Sequence, residues 1–147
     1  MPKPVTPLVG CDLFVADEAN RVLLVRRSDN GLWALPGGCQ ELGETPAECS
    51  CRECREETGF TVRVVRLLGV FSSLRYEYEH YPWKEDEFCH LLFQATIIAG
   101  SPRASAETRE VAFFSEADLP SLSDGHGPRI ALGFRMLREP SLRPYFE

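Results

Sequence analysis

The feature that most constrains the fold is a helix whose start and end are both marked in the sequence. Thr45 precedes Pro46 and stands three residues before Glu48, the pattern of a capping box with proline at the first helical position. Gly59 is the residue type that most often ends a helix in the left-handed conformation. These signals predict a helix over about Pro46–Thr58.

One face of this predicted helix carries three glutamates and an arginine. At 100° per residue, Arg52, Glu56, Glu53 and Glu57 fall within about 140° of one another. Carboxylates this close repel one another unless a cation or partner compensates, and oxygen ligands favour Mg²⁺ or Mn²⁺ over Zn²⁺. The alternative is a solvated face of Glu/Arg pairs. The glycine turn at 35–38 just upstream favours an ion site, because glycine lets the backbone approach a ligand and lend a carbonyl.

The helix and its approach resemble the box of the Nudix hydrolase family, G-x₅-E-x₇-R-E-U-x-E-E-x-G-U, in which U is apolar. Cys54 departs from the usual Leu, Ile or Val, which concerns packing more than chemistry because cysteine behaves as a small hydrophobe. Weaker similarity extends the resemblance over about residues 8–138. The matching residues are Gly38, Glu44, Arg52, Glu53, Cys54, Glu56, Glu57, Gly59 and Phe60.

This resemblance implies an α/β (α+β) Nudix fold, with a mixed β-sheet sandwiched between helices. It also implies a Mg²⁺-dependent hydrolase, with Mn²⁺ as a substitute, that splits a diphosphate bond in a small nucleotide-like substrate. Glu56, Glu57 and the Gly38 carbonyl would hold the metal, and Arg52 would orient the carboxylates. Glu53 is the candidate general base or a further metal ligand.

Two other acids have expected roles near this site. By the same resemblance Glu44 supports the carboxylates, although it precedes the helix. A further metal ligand often comes from a late loop in the family, where Glu107 or Glu110 is available, and Glu107 is preferred. The alternative for Glu107 is a solvated loop acid.

Three classes of function remain open at this stage. The leading hypothesis is hydrolysis of a nucleoside diphosphate derivative such as ADP-ribose, a sugar nucleotide or a dinucleotide. A triphosphate diphosphatase that removes damaged nucleotides would differ by releasing pyrophosphate. A non-catalytic nucleotide-binding module is disfavoured, because a pure binder does not need the crowded acids Glu53, Glu56 and Glu57.

Substrate recognition is expected from an aromatic loop and nearby arginines. The segment 71–88 is longer than a hairpin turn needs, and long ordered loops often carry recognition. Rings there would stack on a base and arginines would meet phosphate. The alternative is that the rings cap the core edge or form a dimer contact. The candidate substrate-binding residues are Arg26, Arg27, Arg75, Tyr76 and Trp83, with Tyr78 and Tyr81 in the same loop.

The remaining pattern predicts strands around the helix. Leu8–Val15 and Arg21–Arg27 are apolar runs separated by a polar turn and predict a β-hairpin. A short strand is expected within Leu32–Leu35. Ser115-Glu116-Ala117-Asp118 resembles a second capping box, opening a short turn that Pro120 ends. Further strands are predicted at 61–70, 88–99 and 109–114, and a final helix at about 127–138.

Length and charge limit the other possibilities. The chain has 147 residues, which suits one domain, with 1–7 and 140–147 as terminal extensions. A net charge of −6 makes long nucleic acid an unlikely main partner. No apolar run is long enough to span a bilayer, so no membrane partner is expected and the cytoplasm is the default location. A homodimer is left open.

The cysteines and histidines are interpreted as structural. Four of the six cysteines crowd into sixteen residues, which argues for reduced thiols rather than a disulfide framework. Cys51 and Cys54 are expected to face the sheet, whereas Cys49 falls among the carboxylates and, if accessible, would make activity sensitive to Zn²⁺ or oxidants. His80, His90 and His126 lack metal-ligand spacing and are treated as ordinary histidines.

Overall fold

A computed structural model describes residues 5–77 and 86–147. Over these ranges the chain forms eight strands and two α-helices, with 3₁₀ turns at Ser73–Arg75 and Glu116–Asp118. The strands and helices are, in chain order, β1 Leu8–Val15, β2 Val22–Arg27, β3 Trp33–Ala34, β4 Gly37–Cys39, α1 Pro46–Thr58, β5 Phe60–Ser72, β6 Phe88–Gly100, β7 Thr108–Phe114, α2 His126–Arg138 and β8 Tyr145–Phe146.

The strands form two sheets with the helices packed against them. The larger sheet is mixed and has the order β4-β1-β6-β5-β8, and the smaller antiparallel sheet has the order β3-β2-β7. Alternate residues of β1 point to opposite sides: Leu13 shares a core cluster with Cys54 of α1, whereas Phe14 packs edge-on against Phe134 of α2, with ring centroids 5.2 Å apart. The predicted mixed sheet covered by helices is therefore confirmed.

Helix α1 has the bounds that its local signals predict. The Glu48 backbone N–H donates to Thr45 Oγ1 at 3.1 Å, and the Glu48 side chain accepts from the Thr45 N–H at 3.2 Å. Gly59 ends the helix with φ of 83°, in the left-handed region. Because both ends are set by contacts within the helix and its caps, the sequence alone could place it.

The predicted hairpin between the first two strands is wrong. β1 pairs in parallel with β6 and antiparallel with β4, whereas β2 belongs to the other sheet; only an isolated bridge between Ala16 and Val22 joins them. Residues Gly10–Val15 are all buried, so the strand has no solvent face. A strand buried on both faces fits the interior of a mixed sheet rather than a hairpin.

Two further details differ from the sequence patterns. Ser115 does not cap a backbone N–H; its hydroxyl donates to Asp118 Oδ2 at 2.9 Å, and the segment is a 3₁₀ turn. Within the predicted C-terminal extension, β8 adds a parallel strand at the edge of β5. In the described part of the chain, helix length and apolar content fall short of what crossing a membrane requires.

Candidate active site

A cavity of about 680 Å³ lies where α1, the glycine turn and the edges of both sheets meet. This volume is in the range of small-molecule sites. Its walls bring together residues from distant parts of the chain, including three of the predicted site carboxylates. They are Gly10, Asp12, Val25, Arg27, Ser28, Asp29, Ala34, Leu35, Gly37, Gly38, Cys39, Gln40, Glu41, Glu53, Glu57, Phe88, His90, Ala106, Glu107, Thr108 and His126.

Glu57 is the most deeply buried of the predicted site carboxylates in this cavity. Only 9% of the residue is exposed, and its Oε1 accepts a hydrogen bond from the Gly37 N–H at 2.9 Å. Burial raises the pKa of Glu57 well above its usual value, and the negative charges of Glu53, Asp12 and Glu107 act in the same direction, against the Gly37 hydrogen bond. The site therefore disfavours an uncompensated charge at Glu57.

Glu53 lies beside Gly38 on the same wall. A Cβ at Gly38 would come within 2.5 Å of the Glu53 carboxyl carbon, so glycine is needed for this packing. Burial raises the pKa of Glu53, opposed by Arg52 and reinforced by Glu56 and Glu107. Because its pKa is raised, the Glu53 carboxylate is a stronger proton acceptor than an exposed glutamate, as a general base requires.

Arg52 links the helix to the preceding loop. Its guanidinium donates from Nε to Glu44 Oε2 at 2.9 Å and from Nη2 to Glu44 Oε1 at 2.8 Å. Nη1 contacts Glu53 at 3.0 Å and Glu56 at 3.3 Å. The Arg52 hydrogen bonds lower the pKa of Glu44 to about 2. Glu44 therefore holds the Arg52 guanidinium, which in turn contacts Glu53 and Glu56; the orienting role of Arg52 stays a prediction.

The other two acids differ in position. The Glu56 side chain is 56% exposed and points to Arg52 outside the cavity lining, so its expected metal role stays a prediction. Glu107 lines the cavity and lies close enough to influence Glu53 and Glu57. Glu110 instead pairs with Arg26 across β7 and β2 at 2.9 Å. The structure therefore favours Glu107 over Glu110 as the late acid.

The predicted phosphate-binding arginines are not equivalent. Arg26 donates to the Gly31 carbonyl at 3.0 Å and to Glu110, and does not line the cavity. Arg27 does line it, and its guanidinium donates two hydrogen bonds to Asp29, at 2.9 and 2.6 Å. Of the two, only Arg27 is placed to meet a ligand there.

The aromatic loop lies only partly within the described residues. Tyr76 donates to Glu147 Oε2 at 2.5 Å and packs at the edge of the core, as the alternative interpretation of this loop expected. Arg75 is exposed in the 3₁₀ turn, away from the cavity lining. Trp83 lies outside the described residues, as do Tyr78, Tyr81 and His80. The substrate-binding roles of Arg75, Tyr76 and Trp83 stay predictions.

The cysteines of the helix separate by face. Cys54 is fully buried against the sheet core, and Cys51 packs at its edge, as expected. Cys49 is also fully buried, with its sulfur 3.7 Å from the Gly38 carbonyl oxygen. Burial raises the pKa of the Cys49 thiol well above its usual value. Cys49 is therefore not accessible, and accessibility was the condition for an effect of Zn²⁺ or oxidants on activity.

A polar group behind the glycine turn is not predicted from the sequence. Asp12, His90 and Arg129 are each at least 94% buried and come from β1, β6 and α2. His126, also buried, accepts a hydrogen bond from the Leu35 N–H at Nδ1, 3.1 Å away. The one signal in the sequence is Asp12, a lone acid within the apolar run Leu8–Val15. It indicates a buried polar group because a buried charge requires a partner.

The donor set suits a hard divalent cation by its chemistry. Glu53, Glu57, Glu107 and the Gly38 carbonyl supply oxygen only, and they line one cavity. Crowding of buried carboxylates is relieved when a cation compensates their charge. Among the described residues, no three His, Cys, Asp or Glu side chains converge closely enough to enclose an ion. The residues fit a metal by the type of their donor atoms and by their shared cavity, although they do not form a closed site in this structure.

The fold and the carboxylate helix define a mixed α/β domain with an acidic cavity, and comparison with known proteins identifies the family. The sequence matches the NUDIX domain family model over residues 6–132. The chain therefore belongs to the Nudix family, and the resemblance seen in the sequence is confirmed.

Individual relatives agree with this assignment. The chain is 35% identical over 123 residues to the ADP-ribose pyrophosphatase of Methanocaldococcus jannaschii. The aligned region covers 82% of this chain and 69% of that relative. The chain is 32% identical over 130 residues to YjhB of Bacillus subtilis (strain 168), covering 87% of this chain and 61% of that protein. The crystal structure of a UDP-X diphosphatase superposes with a TM-score of 0.84 at 26% identity, covering 99% of this chain and 70% of the other.

Proposed function

We propose that this protein hydrolyses the diphosphate linkage of a small nucleoside diphosphate derivative, using Mg²⁺. The observation that carries the proposal is a pair of carboxylates on one wall of a ligand-sized cavity, the buried Glu57 and the partly buried Glu53. The similarity to the ADP-ribose pyrophosphatase of Methanocaldococcus jannaschii and to the UDP-X diphosphatase supports this substrate class.

Four groups would hold the metal. Glu57, Glu107 and the Gly38 carbonyl line the cavity, and Glu56 would join from its rim. When bound, Mg²⁺ supplies positive charge that neutralises the negative charge developing on the diphosphate oxygens. Mn²⁺ satisfies the same oxygen donors and is expected to substitute.

Glu53 would act as the general base. Its carboxylate takes a proton from the attacking water as the new P–O bond forms, and the bridging P–O bond breaks to release a phosphate monoester. Arg52, 3.0 Å from Glu53 Oε1, holds that carboxylate in orientation. Arg27 is the cation on the cavity wall that would contact a substrate phosphate.

Product identity tests this proposal. The purified protein is incubated with Mg²⁺ and ADP-ribose, sugar nucleotides, dinucleotides or nucleoside triphosphates, with a chelator control, and each product is identified by mass. We expect two phosphate monoesters from a diphosphate derivative, such as AMP and ribose 5-phosphate from ADP-ribose. Pyrophosphate from a triphosphate would instead support the diphosphatase alternative. No turnover with Mg²⁺ or Mn²⁺ would reject the proposal in favour of a binding module.

A further inference from the structure

The cavity floor contains a buried carboxylate that the proposed chemistry does not use. Asp12 Oδ2 lies 3.3 Å from Arg129 Nη1 and 3.4 Å from His90 Nδ1. Neither contact has hydrogen-bond geometry, and among residues 5–77 and 86–147 both nitrogens of His90 and Nε of Arg129 are buried without a hydrogen-bond partner. Buried polar atoms are nearly always satisfied, so these exceptions call for an explanation.

Two glycines keep space for these side chains. A Cβ at Gly10 would come within 2.5 Å of His90 Nδ1, and a Cβ at Gly37 would collide with Asp12 Oδ1. Gly37 also donates its N–H to Glu57, so the same residue adjoins the Asp12 carboxylate and the proposed metal site. The polar group therefore borders the space in which the substrate would bind.

The two oxygens of Asp12 have different surroundings. The shortest ion-pair contacts of Asp12 both reach Oδ2, and within the described part of the chain no hydrogen bond reaches Oδ1. Burial alone would raise the pKa of Asp12, but Arg129 and His90 outweigh it and hold that pKa well below its usual value. Asp12 is therefore a charged carboxylate that can only accept hydrogen bonds.

The neighbours of Asp12 suit a flat, neutral ligand group. Phe88 and His90 stack with centroids 5.1 Å apart and an angle of 12° between their planes, and both line the cavity. Ala34 and Leu35 add apolar surface. Since Arg129 already balances the charge of Asp12, an additional cation is not favoured, and the anionic oxygen repels phosphate.

We propose that Asp12 determines base specificity by accepting a hydrogen bond from an N–H donor on the nucleobase of the substrate. The stacked Phe88 and His90 form an aromatic wall beside that base. The inference rests on the proposed function for the identity of the ligand as a nucleotide, but it concerns binding and not the chemical step. The principal alternative is that a ribose hydroxyl, and not a base N–H, donates the hydrogen bond to Asp12.

Metal-free binding of nucleoside monophosphates tests the proposal without requiring turnover. Calorimetry first ranks AMP, GMP, CMP and UMP. The tightest ligand is then compared with an analogue whose base N–H donors are removed or methylated, and with its 2′- and 3′-deoxy forms. We expect the donor-free base to bind about 10-fold to 100-fold more weakly, the range for a hydrogen bond to a charged group. Both deoxy forms should bind within about threefold of the parent.

Asp12→Asn adds a direct test of the residue. Arg129 only donates, so the amide oxygen of the variant should turn to Arg129 and present the NH₂ group to the cavity. The preference for the donor-bearing base should then disappear or reverse. Asp118→Asn, which removes a carboxylate far from the cavity lining, should keep the wild-type preference. Thermal melting verifies that each variant is folded.

A wild-type measurement covers the case in which Asp12→Asn does not fold. In ¹³C-labelled protein, the carboxyl resonance of Asp12 should shift on binding the parent nucleotide and not on binding its donor-free analogue. Equal affinity for parent and analogue, loss of affinity on removing a ribose hydroxyl, or no binding of any monophosphate would overturn the inference. Base-dependent binding without turnover would overturn the proposed function alone, and turnover with an unchanged base preference in Asp12→Asn would overturn the inference alone.

Discussion

Arg52 and Glu44 are joined by two parallel hydrogen bonds of 2.9 and 2.8 Å, which fix the guanidinium from the loop before the helix. The remaining terminal nitrogen of Arg52 is thereby directed to Glu53 and Glu56. A bidentate pair of this kind fixes the orientation of the two groups in addition to pairing their charges. The loop and the helix are therefore coupled at the carboxylates that the proposed mechanism uses.

Replacing the Arg52 guanidinium by another positive charge should reduce the activity more than it destabilises the fold. Lysine cannot make two parallel hydrogen bonds, so Arg52→Lys should release Glu53 from its orientation. We expect kcat to fall by about tenfold or more, equivalent to about 1.4 kcal/mol in the activation free energy. Steady-state kinetics on the best diphosphate substrate measure this. Arg55→Lys, on an exposed part of the same helix, should retain wild-type kcat; equal losses in both variants would contradict the role of the bidentate pair.

The same pair should make stability depend on acid pH. Hydrogen bonds from Arg52 lower the pKa of Glu44 from 4.5 to about 2, so the unfolded chain takes up this proton first as the pH falls. The contribution is complete above pH 4.5 and is lost as the pH falls towards 2. Urea unfolding across this window should show a steeper loss in wild type than in Glu44→Gln. Parallel curves would show that the pair does not act on the folded state as described.

A methyl group at Gly38 should displace the candidate base without breaking the fold. The added Cβ meets the end of the flexible Glu53 side chain, which can move away. We expect Gly38→Ala to lower kcat by about tenfold or more while the melting temperature changes little. Gly127→Ala is the matched control, since a Cβ there meets no atom within 4 Å in the described part of the chain beyond its own stretch of helix. An active Gly38→Ala enzyme would indicate that the Glu53 position is not important for turnover.

His126 should destabilise the fold as the pH falls below about 6.5. Burial lowers the pKa of His126 well below its ordinary value of 6.5, with Arg129 acting in the same direction, so only the unfolded state gains this proton at mildly acidic pH. Asn at this position retains an acceptor for the Leu35 N–H but has no proton to gain. Between pH 6 and 5, wild type should lose up to about 1.4 kcal/mol per pH unit more than His126→Asn in urea unfolding. Identical slopes would mean that His126 is charged or exposed.

The parts of the structure predicted from sequence are those set by neighbouring residues. Helix α1 was placed correctly because Thr45, Glu48 and Gly59 define its ends through contacts within a few residues. The first hairpin was not, because β1 pairs with β6, which lies far along the chain. Nothing in the sequence near β1 specifies that partner, and nearby strands often pair.

In the candidate site, too, features set by neighbouring residues could be predicted, whereas features set by distant contacts could not. The carboxylates of α1 share a face because of helix geometry, so the sequence could group Glu53 with Glu57. Asp12 and Arg129 meet only because α2 packs across the sheet from a distant part of the chain. Arg26 was a plausible phosphate ligand by type, but its register opposite Glu110 gives it another partner. Tertiary pairing therefore decides which charges are available.

The most direct test of the account is the Mg²⁺-dependent cleavage of ADP-ribose by wild type and by Glu57→Gln. Glutamine keeps an acceptor for the Gly37 N–H but removes the negative charge that the metal would require. We predict that kcat falls by about 100-fold or more while the melting temperature shows an intact fold. Glu139→Gln, which replaces an exposed acid at the end of α2, should keep full activity. A Glu57→Gln variant that cleaves ADP-ribose within about threefold of the wild-type rate would contradict a metal site built on this carboxylate.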